Sequence, residues 1–308
     1  MVLEQAFRAK WLERRPISAM FLGLLYSIIG ILSAKLIFPA SSGLASIAFV
    51  SILLIPSLNR LLSDEENVEI RENKFSLKML FRDHRDIFEI YFFMFIGIFL
   101  AYAMFGMFLP KDQVIKMFGP QVNLIKGQGL YNAFVGHAFL SDRFVSILLN
   151  NLLVFIVCFV LSIVYGAGSI FFLSWNASAW GVIFAINARV IAGFGNPLVA
   201  FVGVDNMAPV WAHLITEALS YFFAAVAGGV LSKAVMREDL FSEKFHHILS
   251  DAMILLVLGF GVVAIAAFIE VFVFPSLATA ILLGIVMILI LLIGALEPTH
   301  VFEKEGIN

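Results

Sequence analysis

Long apolar runs are the feature of this sequence that most limits its fold. Several reach about 20 residues with few charged side chains, enough for a helix to cross the roughly 30 Å hydrocarbon core of a bilayer. Apolar residues make up 61% of the chain, charged residues 14%, and the mean hydropathy is +0.99. Such a chain cannot enclose its apolar side chains behind a water-facing surface. The sequence therefore predicts an all-α integral membrane protein, folded as a polytopic helix bundle.

We predict about eight transmembrane helices within a single membrane domain of residues 1–308. Their approximate bounds are 17–38, 42–62, 87–109, 145–173, 174–188, 208–234, 248–275 and 277–296. The fifth span is short and begins at "SWNASAWG". Its interpretation stays open between a full crossing and a broken or re-entrant element.

The distribution of lysine and arginine predicts the orientation. Basic side chains are concentrated in the segments around 8–15, 60–85 and 233–244, which share one side of the membrane if the spans alternate. Cytoplasmic segments carry such an excess, so we expect both termini to be cytoplasmic and the chain to be a multi-pass protein of the cell membrane. The net charge of −2 gives no reason to expect a nucleic-acid partner, whereas membrane lipid is an obligatory one.

The outer segment between spans three and four is rich in glycine and aromatic residues. Val114, Ile115 and Phe118 have helical spacing there, which predicts a short helix lying on the bilayer surface. We expect this segment to be the place where an extracellular partner binds.

Polar side chains inside the predicted spans recur at one depth. Each costs a few kcal/mol in the bilayer centre unless it is paired or faces water. If the helices that carry them are neighbours, these side chains form one cluster in the outer half of the bilayer. The cluster consists of Asn150, Asn151, Arg189, His213, Glu217 and Glu270. We expect Glu217 and Glu270 to lie on facing helices.

His213 and Glu217 are four residues apart and therefore point to the same side of a helix. Two interpretations stay open for them: a hydrogen-bonded lock between helices, and a site for a proton, an ion or a substrate. For Asn150 and Asn151 interhelical hydrogen bonding is favoured, and Arg189 can serve as an interfacial anchor. A histidine and a glutamate at this spacing, without a second histidine on the helix, do not predict a metal site. No cofactor is expected.

Small residues follow the polar positions along spans six and seven. Pairs of small residues four apart let another helix approach closely in a membrane. The predicted helix-packing residues are Ala224, Ala225, Gly228, Gly229, Gly259 and Gly261.

Three segments together resemble the signature segments of the stage II sporulation protein M (SpoIIM) family of multi-pass membrane proteins. They are "ILLNNLLVFIVCFVLSIVYGAGSIFFLSWNASAWG", "AHLITEALSYFFAAVAGG" and "AAFIEVFVFPSL". The family positions that they match are Asn150, Asn151, Asn176, Gly181, His213, Glu217, Ile269, Glu270 and Pro275. Leu214 stands where the family usually has glycine.

The resemblance divides the single membrane domain into three parts. Residues 140–276 form the SpoIIM-like core. Residues 1–139 are an N-terminal extension with spans one to three and their loops, and residues 277–308 add a C-terminal span and tail.

The resemblance implies a non-enzymatic membrane scaffold that recruits partner proteins in membrane or envelope remodelling. In spore-forming bacteria the family member resembles a scaffold for peptidoglycan-degrading partners. Homo-oligomer formation through the glycine and alanine faces is a further expectation. The sequence holds no Ser/His/Asp arrangement, nucleotide-binding loop or metal set, so no enzymatic activity is predicted.

The alternative hypothesis is a transporter or permease subunit that uses the intramembrane Asn/His/Glu cluster. Interrupted helices mark binding sites in many transporters, and a broken fifth span would suit this function.

Overall fold

The computed structural model describes residues 12, 15–69, 84–123, 140–193, 204–240 and 242–273. Within these ranges the side chains of 64–69, 140–143, 204–213, 272 and 273 are not described. The eighth predicted span, 277–296, and the family position Pro275 lie outside the described residues.

Helices account for nearly all of the described chain. They are α1 (Ser18–Ile37), α2 (Ser42–Glu69), α3 (Arg85–Phe108), α4 (Lys111–Met117), α5 (Leu140–Tyr165), α6 (Ile170–Ala192), α7 (Val204–Arg237) and α8 (Glu243–Phe268). A 3-10 turn, Ala167–Ser169, joins α5 to α6, and a π-helical turn, Ile269–Val273, continues α8.

Seven of the described helical segments are long and apolar enough to cross a membrane. They are Ser18–Ile37, Ser42–Ser63, Arg85–Phe108, Phe144–Tyr165, Ala167–Ala192, Leu214–Arg237 and Glu243–Val271. They correspond to the first seven predicted spans and confirm the predicted polytopic helical membrane protein. The cytoplasmic location of both termini stays a prediction.

The fifth span is long enough for a full crossing, one of the two interpretations left open by the sequence, and it is longer than the predicted 174–188. α5 ends at Tyr165 and the next crossing runs unbroken through Ala167–Ala192, so "SWNASAWG" lies in the interior of α6. The predicted boundary at 173/174 was wrong because the turn falls inside an apolar run that contains neither proline nor charge. Gly166 makes the turn with φ +66°, a backbone conformation that glycine adopts without a Cβ penalty.

α7 is the central helix of the bundle. It packs against α2, α3, α5, α6 and α8. In its most apolar stretch 89% of the residues are buried inside the protein, against 22% in α5. α1 packs against α2 and α3. Side chains on α7 are therefore placed to meet other helices, whereas α5 keeps a broad outward face.

Small residues allow several of these helices to approach closely. A Cβ at Gly228 would lie 2.6 Å from the Phe159 carbonyl oxygen of α5, and one at Gly229 would lie 2.7 Å from Leu62 of α2. Gly259 is enclosed by Phe155 and Phe223 in the same way. Ala224 and Ala225 are fully buried.

Gly261 is the exception among the predicted packing residues. It is exposed on α8, and a Cβ there would meet no atom of the described residues within 4 Å. It follows Gly259 by two residues, which places it about 200° around the helix and away from the contact with α5 and α7.

The segment after α3 begins with a short helix, α4, as predicted, and packs onto the bundle; its position on the bilayer surface stays a prediction. Val114 and Phe118 are buried, and only Ile115 of the three predicted apolar positions is exposed. Gln121 is fully buried; its Nε2 donates to the Gly43 carbonyl oxygen and to the Ser178 hydroxyl, both at 3.3 Å. Those bonds tie the segment to the beginning of α2 and to α6. The remainder of this loop, 124–139, lies outside the described residues.

A hydrogen-bonded junction holds the opposite, predicted cytoplasmic, end of the bundle. The Asn59 Oδ1 atom of α2 accepts from the Ala167 backbone N–H and from the Lys233 ammonium of α7, each at 3.1 Å. A Cβ at Gly166 would overlap the same Oδ1 atom. Asn59 thus joins α2, the turn between α5 and α6, and α7.

We expect Gly166→Ala to lower the free energy of unfolding by about 2–4 kcal/mol, because it combines positive-φ strain with displacement of Asn59. The measurement is equilibrium unfolding in detergent. Gly193→Ala is the matched control, since Gly193 has φ +54° but no described atom within 4 Å of its Cβ position. It should cost only about 1–2 kcal/mol. Equal losses in the two variants would contradict a role for the Asn59 junction.

Candidate functional site

Glu217 is a buried carboxylate on the central helix. Its side chain is 7% exposed, and its Oε1 atom accepts a hydrogen bond of 2.7 Å from the Tyr221 hydroxyl. The two residues are one turn apart on α7, which is why their side chains meet. Tyr221 is itself buried. The helix thus supplies a donor for its own intramembrane carboxylate.

Glu270 lies in the π-helical turn at the end of α8. This turn packs against α7 and α5, and the Glu270 side chain is half-buried. Glu270 and Glu217 both act electrostatically on the Tyr221 hydroxyl. The direct hydrogen bond of the phenol is to Glu217, and Glu270 lies in the turn that follows the neighbouring helix α8. π-helical turns are uncommon and are frequent at functional sites.

His213 precedes Glu217 by one turn on α7, but its side chain lies outside the described part of the structure. Its share in the site therefore stays a prediction.

The two asparagines of α5 point to different surroundings. Asn151 is buried at 4% exposure, whereas Asn150 is exposed on the outward face. Successive helical residues are about 100° apart, which explains the divergence. The Asn150 Nδ2 donates to Asn151 Oδ1 at 3.2 Å. The Asn151 Nδ2 is buried and finds no acceptor among the described groups.

Arg189 makes its hydrogen bonds to the end of α3. Its Nη1 donates to the carbonyl oxygens of Gly106 and Leu109, at 3.2 and 2.8 Å. These carbonyl groups belong to the C-terminal end of α3, where a positive charge also complements the helix dipole. Arg189 therefore caps the end of α3 from α6. Asn151 lies on α5, Glu217 on α7, and Glu270 in the π-helical turn after α8.

Several interior polar groups were not predicted from the sequence. Asn59, Gln121 and Lys233 make helix-to-helix bonds, and only their position beside an apolar run marks them. Buried hydroxyls of tyrosine and serine carry no such signal, because these residues are common throughout apolar helices.

The side chains of Glu217 and Glu270 offer carboxyl oxygens, so this site is rich in hydrogen-bond acceptors. Carboxylates accept hydrogen bonds or bind cations, and Tyr221 provides one hydroxyl donor. Within the described residues, no group of three or more His, Cys, Asp or Glu side chains converges as a metal site would require. The arrangement can fix two helices in register or hold a proton or a monovalent cation.

Replacing Tyr221 with Phe should lower the free energy of unfolding by about 1–3 kcal/mol, because the buried Glu217 carboxyl loses its donor. Glu217→Gln and the double variant complete a cycle. We expect a coupling of about 0.5–3 kcal/mol, measured by denaturant unfolding in detergent. Tyr165→Phe is the control; that side chain is 67% exposed, so the change should stay within about 0.5 kcal/mol. Additive losses from Tyr221→Phe and Glu217→Gln would show that the hydrogen bond contributes nothing.

A comparison with protein families identifies the chain. The family model described as Stage II sporulation protein M matches residues 90–275, from the first turns of α3 to beyond the π-helical turn. No curated protein and no solved structure matches the chain significantly. The match spans more than half of the 308 residues and confirms the resemblance found in the three motif segments. The chain belongs to the stage II sporulation protein M family.

Proposed function

We propose that this protein is a non-enzymatic scaffold of the cell membrane that recruits other membrane proteins during membrane or envelope remodelling. Family membership supports a role of this type. The observation that carries the proposal is the outward face of α5, on which an intramembrane amide group, that of Asn150, is exposed.

From residue 144 onward, the exposed face of α5 is apolar except at Asn150 and at Tyr165, its last residue. Its large exposed side chains are Val145, Leu149, Leu153, Ile156, Val160 and Val164. Among described groups, Asn150 uses one N–H on Asn151, which leaves its carbonyl oxygen and its second N–H available. Lipid tails offer no hydrogen bonds, so an amide group at this depth is best satisfied by a polar side chain of another helix.

The occupant that we propose for this face is a transmembrane helix of a different protein. That helix carries an apolar stripe and one polar side chain at the depth of Asn150. Asn150 lies in the half of the bundle predicted to be outer, which is the side from which an envelope-processing partner would be held. Packing through such a face resembles known helix association in membranes, where each interhelical hydrogen bond contributes about 0.6 kcal/mol and at most about 1.7.

The interior of the bundle supports a static platform behind this face. Glu217 bonds to Tyr221 within its own helix, and Arg189 caps α3. The first bond orders side chains within α7 and the second joins α6 to α3, while the Asn59 junction holds the turn at the end of α5 against α2 and α7.

Photo-crosslinking tests the recruitment surface. A photoreactive residue at Leu153 in native membranes should crosslink to one other membrane protein, identified by mass spectrometry. Asn150→Leu should lower the yield by up to about tenfold, the equivalent of a strong interhelical hydrogen bond. Asn150→Gln, which retains the amide, should keep most of it.

The control position is Val257, which is exposed on the outward face of α8 at 67%. The same partner should not be captured from there. Crosslinks only to a second copy of this chain, or a yield that ignores Asn150→Leu, would overturn recruitment at α5.

A transporter is the second candidate, favoured by one observation: Glu217 is a buried carboxylate on the central helix, and Glu270 lies in the turn that packs against that helix. The continuous α6 removes the broken helix that had supported this function. Proton flux into liposomes holding the purified protein distinguishes the two. The scaffold function predicts no flux above that of protein-free liposomes. A flux that Glu217→Gln abolishes and Tyr165→Phe leaves intact would replace the scaffold with a proton-coupled transporter.

A further inference from the structure

The outward side of α8 carries an apolar stripe that the described helices leave exposed. Residues three or four apart share one side of a helix, and the stripe follows that spacing over about four turns. Its exposed residues are Met253, Val257, Phe260, Gly261, Ile265 and Phe268. Among the exposed residues of 253–268 no side chain is polar. The other side of α8 packs against α7 and α5.

The chain continues beyond α8 with the eighth predicted span, 277–296. The described residues end at Val273, so the connecting segment is 274–276. From Val273 to residue 277 the chain can cover at most about 15 Å. Packed helices lie about 8–10 Å apart. A span that begins at 277 therefore starts beside the end of α8 and runs back through the membrane antiparallel to it.

The chemistry of span 277–296 fits the stripe on α8 better than the outward face of α5. The span contains no charged and no amide side chain. On α5 it would cover the exposed Asn150 amide without offering it such a partner, whereas the stripe on α8 requires no hydrogen bond. α7 has little free surface, because 89% of its most apolar stretch is already buried.

Two glycines fall at matching heights in an antiparallel pair. With residue 276 opposite Val273, Gly284 comes opposite Ile265, and Ile288 comes opposite Gly261. Each isoleucine then faces a glycine of the other helix. A Cβ at Gly261 would meet no described atom within 4 Å, so this position can receive a large side chain. Small residues that admit a neighbouring helix are what holds apolar helices together in lipid.

We propose that segment 277–296 packs antiparallel on the outward side of α8, with Gly261 and Gly284 at the contact. This segment lies outside residues 90–275, which the family model matches, so the contact is not part of the family core. The proposal does not depend on the recruitment function. It covers α8 from within the chain and leaves the outward face of α5 to the partner.

A cysteine scan tests this contact in native membranes. The chain carries Cys158→Ala, which removes its only native thiol, together with Val257→Cys and one further cysteine placed in turn at 288–295. After oxidation, a thiol-reactive polyethylene glycol counts the remaining free cysteines, and mass spectrometry identifies the linked peptides. Leu292→Cys should give the highest intramolecular yield. Ile290→Cys is the matched control, because it points about 200° away and should give little product.

Gly261→Leu tests the glycine contact itself. A large side chain there should keep Ile288 from its place and lower the yield of the Val257→Cys and Leu292→Cys pair about tenfold, the equivalent of about 1.4 kcal/mol. Asn150→Leu, on the outward face of α5, should leave that yield unchanged.

Four results would overturn the proposal. Equal or absent crosslinking at all positions of 288–295 would show that the segment does not pack along α8. Disulfide-linked dimers of the chain with Val257→Cys alone would assign the stripe to a second copy. A higher yield for Leu153→Cys paired with Ile288→Cys would place the segment on α5. A yield that ignores Gly261→Leu would show that the glycine makes no contact.

Discussion

Hydrocarbon offers no hydrogen bonds, and the rest of this structure depends on that constraint. Helices satisfy their own backbone groups, but their ends and every interior polar side chain need partners from within the protein. Arg189 meets this need at the end of α3, Gln121 at the beginning of α2, and Tyr221 at the Glu217 carboxyl. Specific polar contacts thus decide which helices meet, within a bundle whose apolar surfaces fit lipid and protein alike.

Apolar length was sufficient to predict the seven described crossings, because a bilayer sets a narrow range for it. The turn at Gly166 was not predicted, because apolar length alone does not mark a turn inside a long apolar stretch. α5, the turn and α6 form one apolar stretch, and the bond that the Ala167 N–H at the turn donates to Asn59 joins residues 108 positions apart. A pattern confined to neighbouring residues does not contain that information.

The sequence predicts a depth in the bilayer for each polar residue of a span, but it does not predict the direction in which that residue points around its helix. Asn150, Arg189 and Glu217 have the same predicted depth, but Asn150 is exposed, Arg189 bonds to the end of α3, and Glu217 bonds to Tyr221. The same holds for Gly259 and Gly261, of which one is enclosed and the other exposed. Direction follows from which helices are neighbours, and the central position of α7 appears only once all its contacts are known.

The Asn59 junction also bears on the order in which the chain assembles in the membrane. Asn59 enters early, the turn at Ala167 comes next, and Lys233 arrives 174 residues after Asn59. Helices are inserted in chain order as synthesis proceeds. The α5–α6 hairpin therefore waits for α7 before its base is closed, and the peripheral helices are free to adjust until the central one has entered between them.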